Sequence, residues 1–391
     1  MYEKNNGSNG CGGNKKDAWR TILKTAIIHD WLTGMRGGEK VLEQLCLMYP
    51  EADIFTLICD ENAVSEIIKR HRIKTSFLQK IPGIFRNYRN FLPLFPAAIE
   101  SFDLAGYDLI VSSSHCAAKS VKKKRGAVHF CYCHTPMRYA WDQFHNYFSA
   151  KKNGYLKYGI ITMIMPFLRK WDAATSGRVD NYIANSEHVA KRIKRYYKRE
   201  AEVIYPPVDT EFFTPGDGAE REDFFLAVSA LTEYKKIDFI VEAFNRMPEK
   251  KLKIIGTGPM LESLKKAAVN PNISFLGGVA REVIRENYRK TRAFLFPGEE
   301  DFGITTAEAQ ACGAPVLALN IGGAAEIVRG GETGEFFDGT TEDFIKKLEL
   351  IKDNVYDIEK VRENAQRFSE EIFRKKTEDF IKKRLRNEKN G

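Results

Sequence analysis

Short apolar runs rich in β-branched residues alternate along the chain with amphipathic stretches of helical period, from Thr25 onward. Parallel sheets covered by helices show this alternation, because each buried strand is followed by a helix that returns across the sheet. The pattern therefore predicts an α/β protein. The runs with strand character are AIIHDW, DLIVSSS, AVHFCYCH and NYIANS in the first half, and FFLAVSAL, KLKIIGTG, ISFLGG, AFLFPG and PVLALN in the second.

One connecting segment, residues 206–222, breaks the alternation with prolines, glycines and charges. A chain of 391 residues exceeds what one core usually serves. We therefore predict two doubly wound domains, at 23–205 and 223–368, that face each other across a cleft. Residues 369–391 have a helical pattern and are expected to pack back across the domains, and the polar, glycine-rich residues 1–22 are predicted to be a disordered leader.

Composition indicates a globular protein without a membrane span, but it does not identify the partner. With 43% hydrophobic and 29% charged residues the chain is an ordinary globular one. The longest nearly uncharged stretch, 158–168, is shorter than the roughly 20 apolar residues of a membrane span. Seven cysteines without regular spacing favour a reducing, cytoplasmic setting. The net charge of +9 suits nucleic acid, an anionic membrane or phosphorylated small molecules alike.

The most informative strand end is the acidic loop in FPGEEDFGITTAEAQACGAP, from Phe296 to Pro315. Open α/β sheets bind ligands at the carboxyl ends of their strands. Glu300 and Glu308 flank a helix start whose unpaired N–H groups favour an anion. The two carboxylates are thus placed to bind hydroxyls on either side of a diphosphate. A purely structural alternative is a capping box made by Thr305 and Glu308.

Two strand ends in the first half carry glycines or histidine. HDWLTGMRGGEK reaches a helix through Gly37 and Gly38, whose missing side chains let a ligand approach the backbone. CYCHTPMRYAWD places His134 before a proline turn. Cys131 and Cys133 with this histidine make a poor zinc site, because no second cysteine pair follows. The two cysteines share one face of a strand, which favours core packing.

The segment GTGPM follows a strand and opens a helix, so Gly256 and Gly258 permit a tight turn and the close approach of a ligand. A complete dinucleotide fingerprint needs glycine where Leu261 stands. A nicotinamide or flavin oxidoreductase is therefore disfavoured.

Two stretches mix apolar and basic residues, Ile81 to Pro96 and Tyr155 to Trp171. Interfacial segments have this composition, and so do core helices with charged edges. Core packing is favoured for the second stretch. Arg86 and Arg89 among aromatic residues favour acceptor binding by the first.

Taken together these motifs resemble glycosyltransferase family 4 over most of the chain, and look most like bacterial mannosyltransferases of surface polysaccharide or O-antigen synthesis. The resemblance implies the GT-B fold, with two Rossmann-like domains facing a cleft and a C-terminal helix across them. In that family the first glutamate of E-x7-E contacts the donor hexose and the second the ribose, which by match are Glu300 and Glu308. Many members carry glycine where this chain has Asp301.

A second family motif corresponds to SALTEYKK, residues 229–236. Its phosphate-binding lysine matches Lys235, with Lys236 beside it, whereas Ala230 takes the place of its arginine. An ordinary basic loop is the alternative. GGVA, at 277–280, matches the segment that lies against the nucleotide base, and a plain loop explains it equally well.

The resemblance yields three groups of candidate residues. The catalytic candidates are His134, which would contact the donor sugar near the reacting carbon, Glu300 and Lys235. The donor-binding candidates are Gly37, Gly38, Lys235, Lys236, Gly256, Gly258, Val279, Gly303, Ile304, Thr305 and Glu308. The acceptor-binding candidates are Arg36, Arg86 and Arg138.

The implied activity is retaining transfer of a hexose from a nucleotide sugar onto a lipid-linked sugar, with backbone amides and Lys235 stabilising the departing diphosphate. GDP-mannose is the expected donor, and a UDP-sugar stays open. We expect no cofactor, no obligatory metal and no nucleic acid as partner. The expected location is the cytoplasm, with contact at the inner face of an anionic membrane left open.

Two rival classes of function stay open. A nucleic-acid-binding module would use 122–125 and the C-terminal lysines as phosphate contacts. A nucleotide-sugar sensor without catalysis would keep only donor binding.

Overall fold

The structure, a computed structural model, describes residues 23–144, 148, 154–216, 221–351 and 355–390. The leader predicted at 1–22 lies outside these residues. Thirteen strands occur in the described part of the chain, and all strand pairings inside the two sheets are parallel.

The first sheet has seven strands in the order β3-β2-β1-β4-β5-β6-β7. The chain proceeds from β1 outward to one edge strand, β3, and then from β4 outward to the other, β7, as in doubly wound folds. The strands are β1 (Thr25–His29), β2 (Asp53–Thr56), β3 (Ile73–Thr75), β4 (Leu109–Ser114), β5 (Val128–Cys133), β6 (Asn181–Ala184) and β7 (Ala201–Val203).

The second sheet has six strands in the order β10-β9-β8-β11-β12-β13. The strands are β8 (Phe225–Val228), β9 (Leu252–Ile255), β10 (Ile273–Gly277), β11 (Ala293–Phe296), β12 (Val316–Leu319) and β13 (Gly334–Phe337). All nine runs predicted as strands are strands, and the α/β fold with two Rossmann-like sheets is confirmed.

Helices connect the strands and cover the sheets. In chain order they are α1 (Gly37–Met48), α2 (Glu66–Lys69), α3 (Ile84–Asn87), α4 (Phe95–Glu100), α5 (Tyr155–Thr175), α6 (Glu187–Tyr197), α7 (Ile237–Asn245), α8 (Leu261–Ala267), α9 (Arg281–Lys290), α10 (Ile304–Ala311), α11 (Ala324–Ile327), α12 (Thr341–Leu350), α13 (Ile358–Gln366) and α14 (Glu370–Asn390).

Both faces of the first sheet are buried, which explains the apolar runs in its central strands. Ala26 and Ile28 of β1 pack into one cluster, whereas Ile27 between them packs into the cluster on the opposite face. Cys131 and Cys133 of β5 are buried together in a third cluster, as core packing predicts. Side chains of a strand alternate between faces, so a strand covered on both sides is mostly apolar, and its buried polar residues pair with each other, as His29 does with Ser113.

The C-terminal helices join the two halves of the molecule. Asn364 of α13 donates to Gln310 of α10 at 2.6 Å. Phe373, Phe380 and Ile381 of α14 lie in the core beside the first sheet. The chain thus returns from the second sheet to the first, while the domain bounds given above remain a proposal.

The helix α5 differs from the prediction of core packing. Met165 and Leu168 are buried, but Leu156, Met163 and Phe167 are 82%, 65% and 73% exposed. Only one side of the helix finds a partner, because the core that it covers lies on that side alone. No helix in the described ranges combines the length and the apolar character that a membrane crossing requires.

Candidate active site

Three neighbouring strands of the first sheet end in a cluster of two histidines and a serine. The Nδ1 atom of His29, the last residue of β1, lies 3.2 Å from Oγ of Ser113, in β4. Nε2 of His134, directly after β5, lies 2.8 Å from the same oxygen. A Cβ atom on Gly38 would lie 3.7 Å from the His29 ring and 3.8 Å from that of His134. The glycine-rich start of α1 therefore lies directly beside these rings.

A buried carboxylate holds the loop after β4 in place. Asp30 accepts hydrogen bonds from the four backbone N–H groups of residues 115–118 at 2.6 to 2.9 Å. Its Oδ2 also lies 3.1 Å from Nδ1 of His115. Several N–H donors on one carboxylate satisfy a buried charge that would otherwise be costly. Asp30 thus fixes the loop that carries His115, a role that the sequence analysis did not identify.

The electrostatic surroundings keep His134 neutral. Burial lowers the pKa of His134 to about 3, and the nearby rings of His115 and His29 act in the same direction. Burial also lowers the pKa of His115. A neutral imidazole donates one hydrogen bond and accepts another. His134 is therefore suited to orient a hydroxyl group rather than to supply positive charge.

The acidic loop of the second sheet lies between two other loops. Glu300 forms an ion pair with Lys235, and the two side chains are only 19% and 14% exposed. A Cβ atom on Gly298 would lie 3.1 Å from Cα of Lys235, and one on Gly322 would lie 2.5 Å from the carbonyl oxygen of Glu300. Close backbone packing on both sides therefore fixes the position of the loop that carries Glu300.

The helix α10 begins as predicted, but its cap is not a capping box. Gly303 is the N-cap residue, with φ of 86°, and no side chain caps the helix. Thr305 is already the second residue of the helix, so the alternative in which it pairs with Glu308 as a cap is wrong. Gly303 adopts this left-handed conformation because it lacks Cβ. The first N–H groups of α10, at Ile304 and Thr305, are left without a side-chain acceptor.

Glu308 lies one turn further, in a site that favours its neutral form. Burial raises its pKa to about 7, Arg281 opposes that shift, and Asp209 adds to it. Oη of Tyr288 lies 3.4 Å from its Oε2. The positive charge of Lys40, in α1, also lowers the pKa of this carboxyl.

Both glycines of the GTGPM segment have a structural reason. A Cβ atom on Gly256 would lie 1.8 Å from the carbonyl oxygen of Ser229, and one on Gly258 would lie 2.4 Å from that of Leu231. What lies against these two glycines is therefore the backbone of the loop after β8, at Ser229 and Leu231. Lys236 is exposed with φ of 51°, and Val279 is partly buried against the second core. Ala230, at the position of the family's arginine, is exposed.

The three arginines predicted to bind acceptor are not brought together. Arg36 is the exposed N-cap residue of α1, and Arg86 is exposed on α3. Arg138 forms an ion pair with Asp301 from the other half of the molecule. Asp301 is buried between it and Arg192, whose Nη1 lies 2.6 Å away. The residue that replaces the family's glycine therefore bridges the two sheets.

A carboxylate of the second half also caps a helix of the first. Glu326 accepts hydrogen bonds from the backbone N–H groups of Glu187 and His188, at 2.8 and 2.9 Å. The imidazole Nε2 of His188 lies 3.6 Å from the Glu299 carboxylate. Hence α6 contacts the loop that carries Glu300. Neither Arg192 nor Glu326 stood out in the sequence, because the partner that each contacts in the other half of the molecule is more than a hundred positions away.

Two family models match this chain. Glycosyltransferase Family 4 matches residues 35–212, and Glycosyl transferases group 1 matches residues 209–370. The chain belongs to the glycosyltransferases of family 4, group 1. The two models meet between the two sheets, so each covers one half of the fold.

Curated relatives match only in part. A D-inositol 3-phosphate glycosyltransferase of Mycobacterium sp. (strain KMS) is 30% identical over 41% of this chain and 42% of its own length. A GDP-mannose-dependent alpha-(1-6)-phosphatidylinositol monomannoside mannosyltransferase of Mycolicibacterium smegmatis is 34% identical over 37% of this chain and 44% of its own length. The chain thus spans less than half the length of these relatives.

Solved structures of the same architecture extend along nearly the whole chain. Sucrose-phosphate synthase from Thermosynechococcus elongatus superposes with a TM-score of 0.70 at 16% identity, over 93% of this chain and 100% of its own. The lipopolysaccharide outer core galactosyltransferase WaaB gives 0.61 at 17% identity, over 93% and 100%. Anabaena HepE in complex with UDP and glucose gives 0.66 at 16% identity, over 92% and 99%. At this identity the likeness defines the fold, which is GT-B.

Proposed function

We propose that this chain is a retaining glycosyltransferase that moves a hexose from a nucleotide sugar onto a lipid-linked sugar acceptor, with mannose from GDP-mannose as the first choice. One observation carries the proposal. Glu300 with Lys235 and the uncapped start of α10 lie on the second sheet, and the neutral His134 lies on the first, beside the glycines that open α1. The catalytic roles of Glu300, Lys235 and His134 are part of the proposal.

The charges suit the departure of a diphosphate. Lys235 has three N–H donors, so it can keep its bond to Glu300 and still bind a phosphate oxygen. The free N–H groups at the start of α10 add fixed dipoles aimed at the same anion. Charge that develops on the leaving group is thus stabilised by groups that are already in place, which is usually the largest catalytic contribution.

The sugar and the nucleoside would lie on either side of that diphosphate. Glu300 accepts hydrogen bonds from hydroxyls of the hexose, and His134 contacts the sugar from the opposite wall of the cleft. Glu308 lies deeper, near Tyr288, and is proposed to bind the ribose. The donor-binding role of Val279 beside the base, and of Gly256, Gly258 and Lys236, is likewise proposed from the match to the family.

The sugar donor is proposed from relatives with different specificities. The relative from Mycolicibacterium smegmatis is named as GDP-mannose-dependent, whereas Anabaena HepE was solved with UDP and glucose. A UDP-sugar is therefore the alternative donor. Surface polysaccharide synthesis in the cytoplasm, at the inner face of the membrane, is the proposed setting.

Thermal unfolding with GDP, UDP, ADP, GDP-mannose and UDP-glucose tests the donor. A ligand that binds only the folded state adds about 2.7 kcal/mol at roughly a hundredfold excess over its Kd. We expect the melting temperature to rise with GDP and GDP-mannose and to change little with ADP. A rise with UDP alone would move the proposal to a UDP-sugar, and no rise with any nucleotide would contradict it.

Exchange of Lys235 for alanine tests the site. We expect kcat to fall by about 10² to 10³, because one preorganised donor to the leaving group is lost. The matched control is Lys346→Ala, since Lys346 is an exposed lysine of α12 to which no role in binding is assigned. Equal effects of the two substitutions on kcat, measured with the donor selected above, would show that Lys235 has no special role.

A further inference from the structure

The helix α5 leaves large apolar side chains in solvent along one side. Leu156 is 82% exposed, Ile160 46%, Met163 65% and Phe167 73%. Their spacing of four, three and four residues puts them on one face of the helix. The opposite side packs into the core, so this stripe is additional apolar surface. Contiguous exposed apolar surface on a folded protein usually marks a binding face.

A second segment, residues 77–97, adjoins this stripe and shares its character. It exposes Phe77, Phe85 and Leu94, each by 40% or more. Nζ of Lys157 in α5 donates to Oδ1 of Asn90 at 3.0 Å. Both segments also pack into one core cluster, to which Tyr88 and Tyr158 belong. We call the exposed side chains of 77–97 and 155–171 the apolar-basic face.

The charges of this face have one sign. No aspartate or glutamate occurs in residues 77–99 or 154–171. The cations in these two segments are Lys80, Arg86, Arg89, Lys157, Arg169 and Lys170, and all but Arg169 are exposed. The face thus combines large apolar side chains with positive charge and has no carboxylate of its own to neutralise it.

We propose that the apolar-basic face docks on an anionic phospholipid bilayer. Apolar side chains of such a surface enter the boundary between headgroups and acyl chains, while Lys and Arg contact the anionic headgroups. A second copy of the chain would bring the same cations against each other in a symmetric contact. The leader at 1–22 has four Lys and Arg against two Asp and Glu, so it does not complement the face either.

The position of the face connects it with the cleft. The ring of Trp31 lies 5.0 Å from that of Tyr88 and 4.4 Å from that of His115. The His115 ring lies 6.3 Å from that of His134. A bilayer on this face would therefore lie beside the first wall of the cleft. The docking stands on its own observations, and only its use for a lipid-linked acceptor rests on the proposed function.

Co-sedimentation with vesicles that contain no glycosyl acceptor tests the docking separately from the transfer reaction. We expect the full chain to bind phosphatidylglycerol vesicles, and to bind phosphatidylcholine vesicles much more weakly. Glutamine at Leu156, Ile160, Met163 and Phe167 together should weaken binding by about tenfold or more, because four apolar side chains no longer enter the lipid. The matched control is Val269→Gln with Val355→Gln, at exposed apolar positions elsewhere.

The charges give a second test on the same vesicles. Arg86→Gln and Arg89→Gln should each weaken binding roughly fivefold, and added salt should weaken it further. A polarity-sensitive dye attached to Phe167→Cys should shift its fluorescence emission to the blue when vesicles bind, whereas the same dye on Val269→Cys should not. Both variants also carry Cys11→Ser, so that the dye reacts with the introduced cysteine; the six other cysteines are buried. The substituted positions are exposed, and unchanged thermal unfolding would show that the variants fold.

Three outcomes would overturn the proposal. One is equal binding of the glutamine variant and the unchanged chain to anionic vesicles. Another is equal binding of the chain to phosphatidylcholine and phosphatidylglycerol. The third combines two results: the chain does not bind vesicles, and it self-associates in sedimentation velocity whereas the glutamine variant does not. A second copy of the chain, and not a bilayer, would then cover the apolar-basic face.

Discussion

At the scale of single residues, the candidate site contains groups whose charge is set by burial rather than by residue type. Glu308 has its pKa raised to about 7, whereas His134 has its pKa lowered to about 3, and burial is the leading cause of both shifts. The sequence identified both residues through the family motifs. It did not indicate that each favours its neutral form, because burial depends on neighbours that lie far away along the chain.

The raised pKa of Glu308 predicts a pH dependence of stability. The folded protein binds the proton of this carboxyl more tightly than the unfolded chain, in which a glutamate has its ordinary pKa of 4.5. Its stabilising contribution is therefore complete below about pH 4.5 and is lost as the pH rises through about 7. Glu308→Gln should gain stability relative to the unchanged chain between about pH 5 and about pH 8, because glutamine carries no charge to bury.

Urea unfolding at both pH values measures this gain. The control is Glu349→Gln, because Glu349 is exposed near the end of α12 and its substitution changes no buried carboxyl. A difference between Glu308→Gln and the unchanged chain that is constant across these pH values would contradict a raised pKa.

At the scale of elements, residues that follow strands come together because parallel strands end at one edge of each sheet. The nine predicted strands are the apolar ones, whereas β2, β3, β7 and β13 were missed. Those four strands have only three or four residues, and three of them are edge strands. Short edge strands lack the long apolar run that burial on both faces produces.

Contacts between elements also carry a prediction, at the pair formed by Asp301 and Arg192. Asp301→Asn removes the negative charge that pairs with Arg138 and Arg192, and Arg192→Met removes one of these two arginines. Each should lower kcat/KM, and together they should lower it by less than the product of the separate effects. Coupling of about 0.5 to 3 kcal/mol is typical of residues in contact.

A double-mutant cycle on kcat/KM measures this coupling. The control pair is Asp301→Asn with Arg246→Met, because Arg246 pairs with Glu342 at an exposed position. Additive effects in the first pair would mean that the ion pair does not position Glu300 or the cleft.

At the scale of the whole molecule, α14 carries the end of the chain back to the first sheet. Phe373 is 1% exposed, and its ring lies 5.6 Å from that of Tyr132 in β5. The helix follows the last element of the second half after only a few residues. Folding of the first core is therefore coupled to the position of the second half.

Phe373→Ala should destabilise the protein by about 3 to 5 kcal/mol, because a buried aromatic side chain leaves a cavity. Val355→Ala is the control, since Val355 is 57% exposed. Calorimetry measures both. If Phe373→Ala lowered the melting temperature no more than the control, α14 would contribute little to the core of the first sheet.

The sequence by itself determined the α/β class, the nine apolar strands, a helix start between Glu300 and Glu308 and the family of the chain. These features are local, since they depend on residues close together in the sequence. Tertiary structure decided which side of α5 stays exposed, the pairing of Asp301 with two arginines across the cleft, and the shifted pKa values of His134 and Glu308. Each of these depends on distances between residues far apart in the chain, and charge, burial and pKa respond to such distances rather than to sequence order.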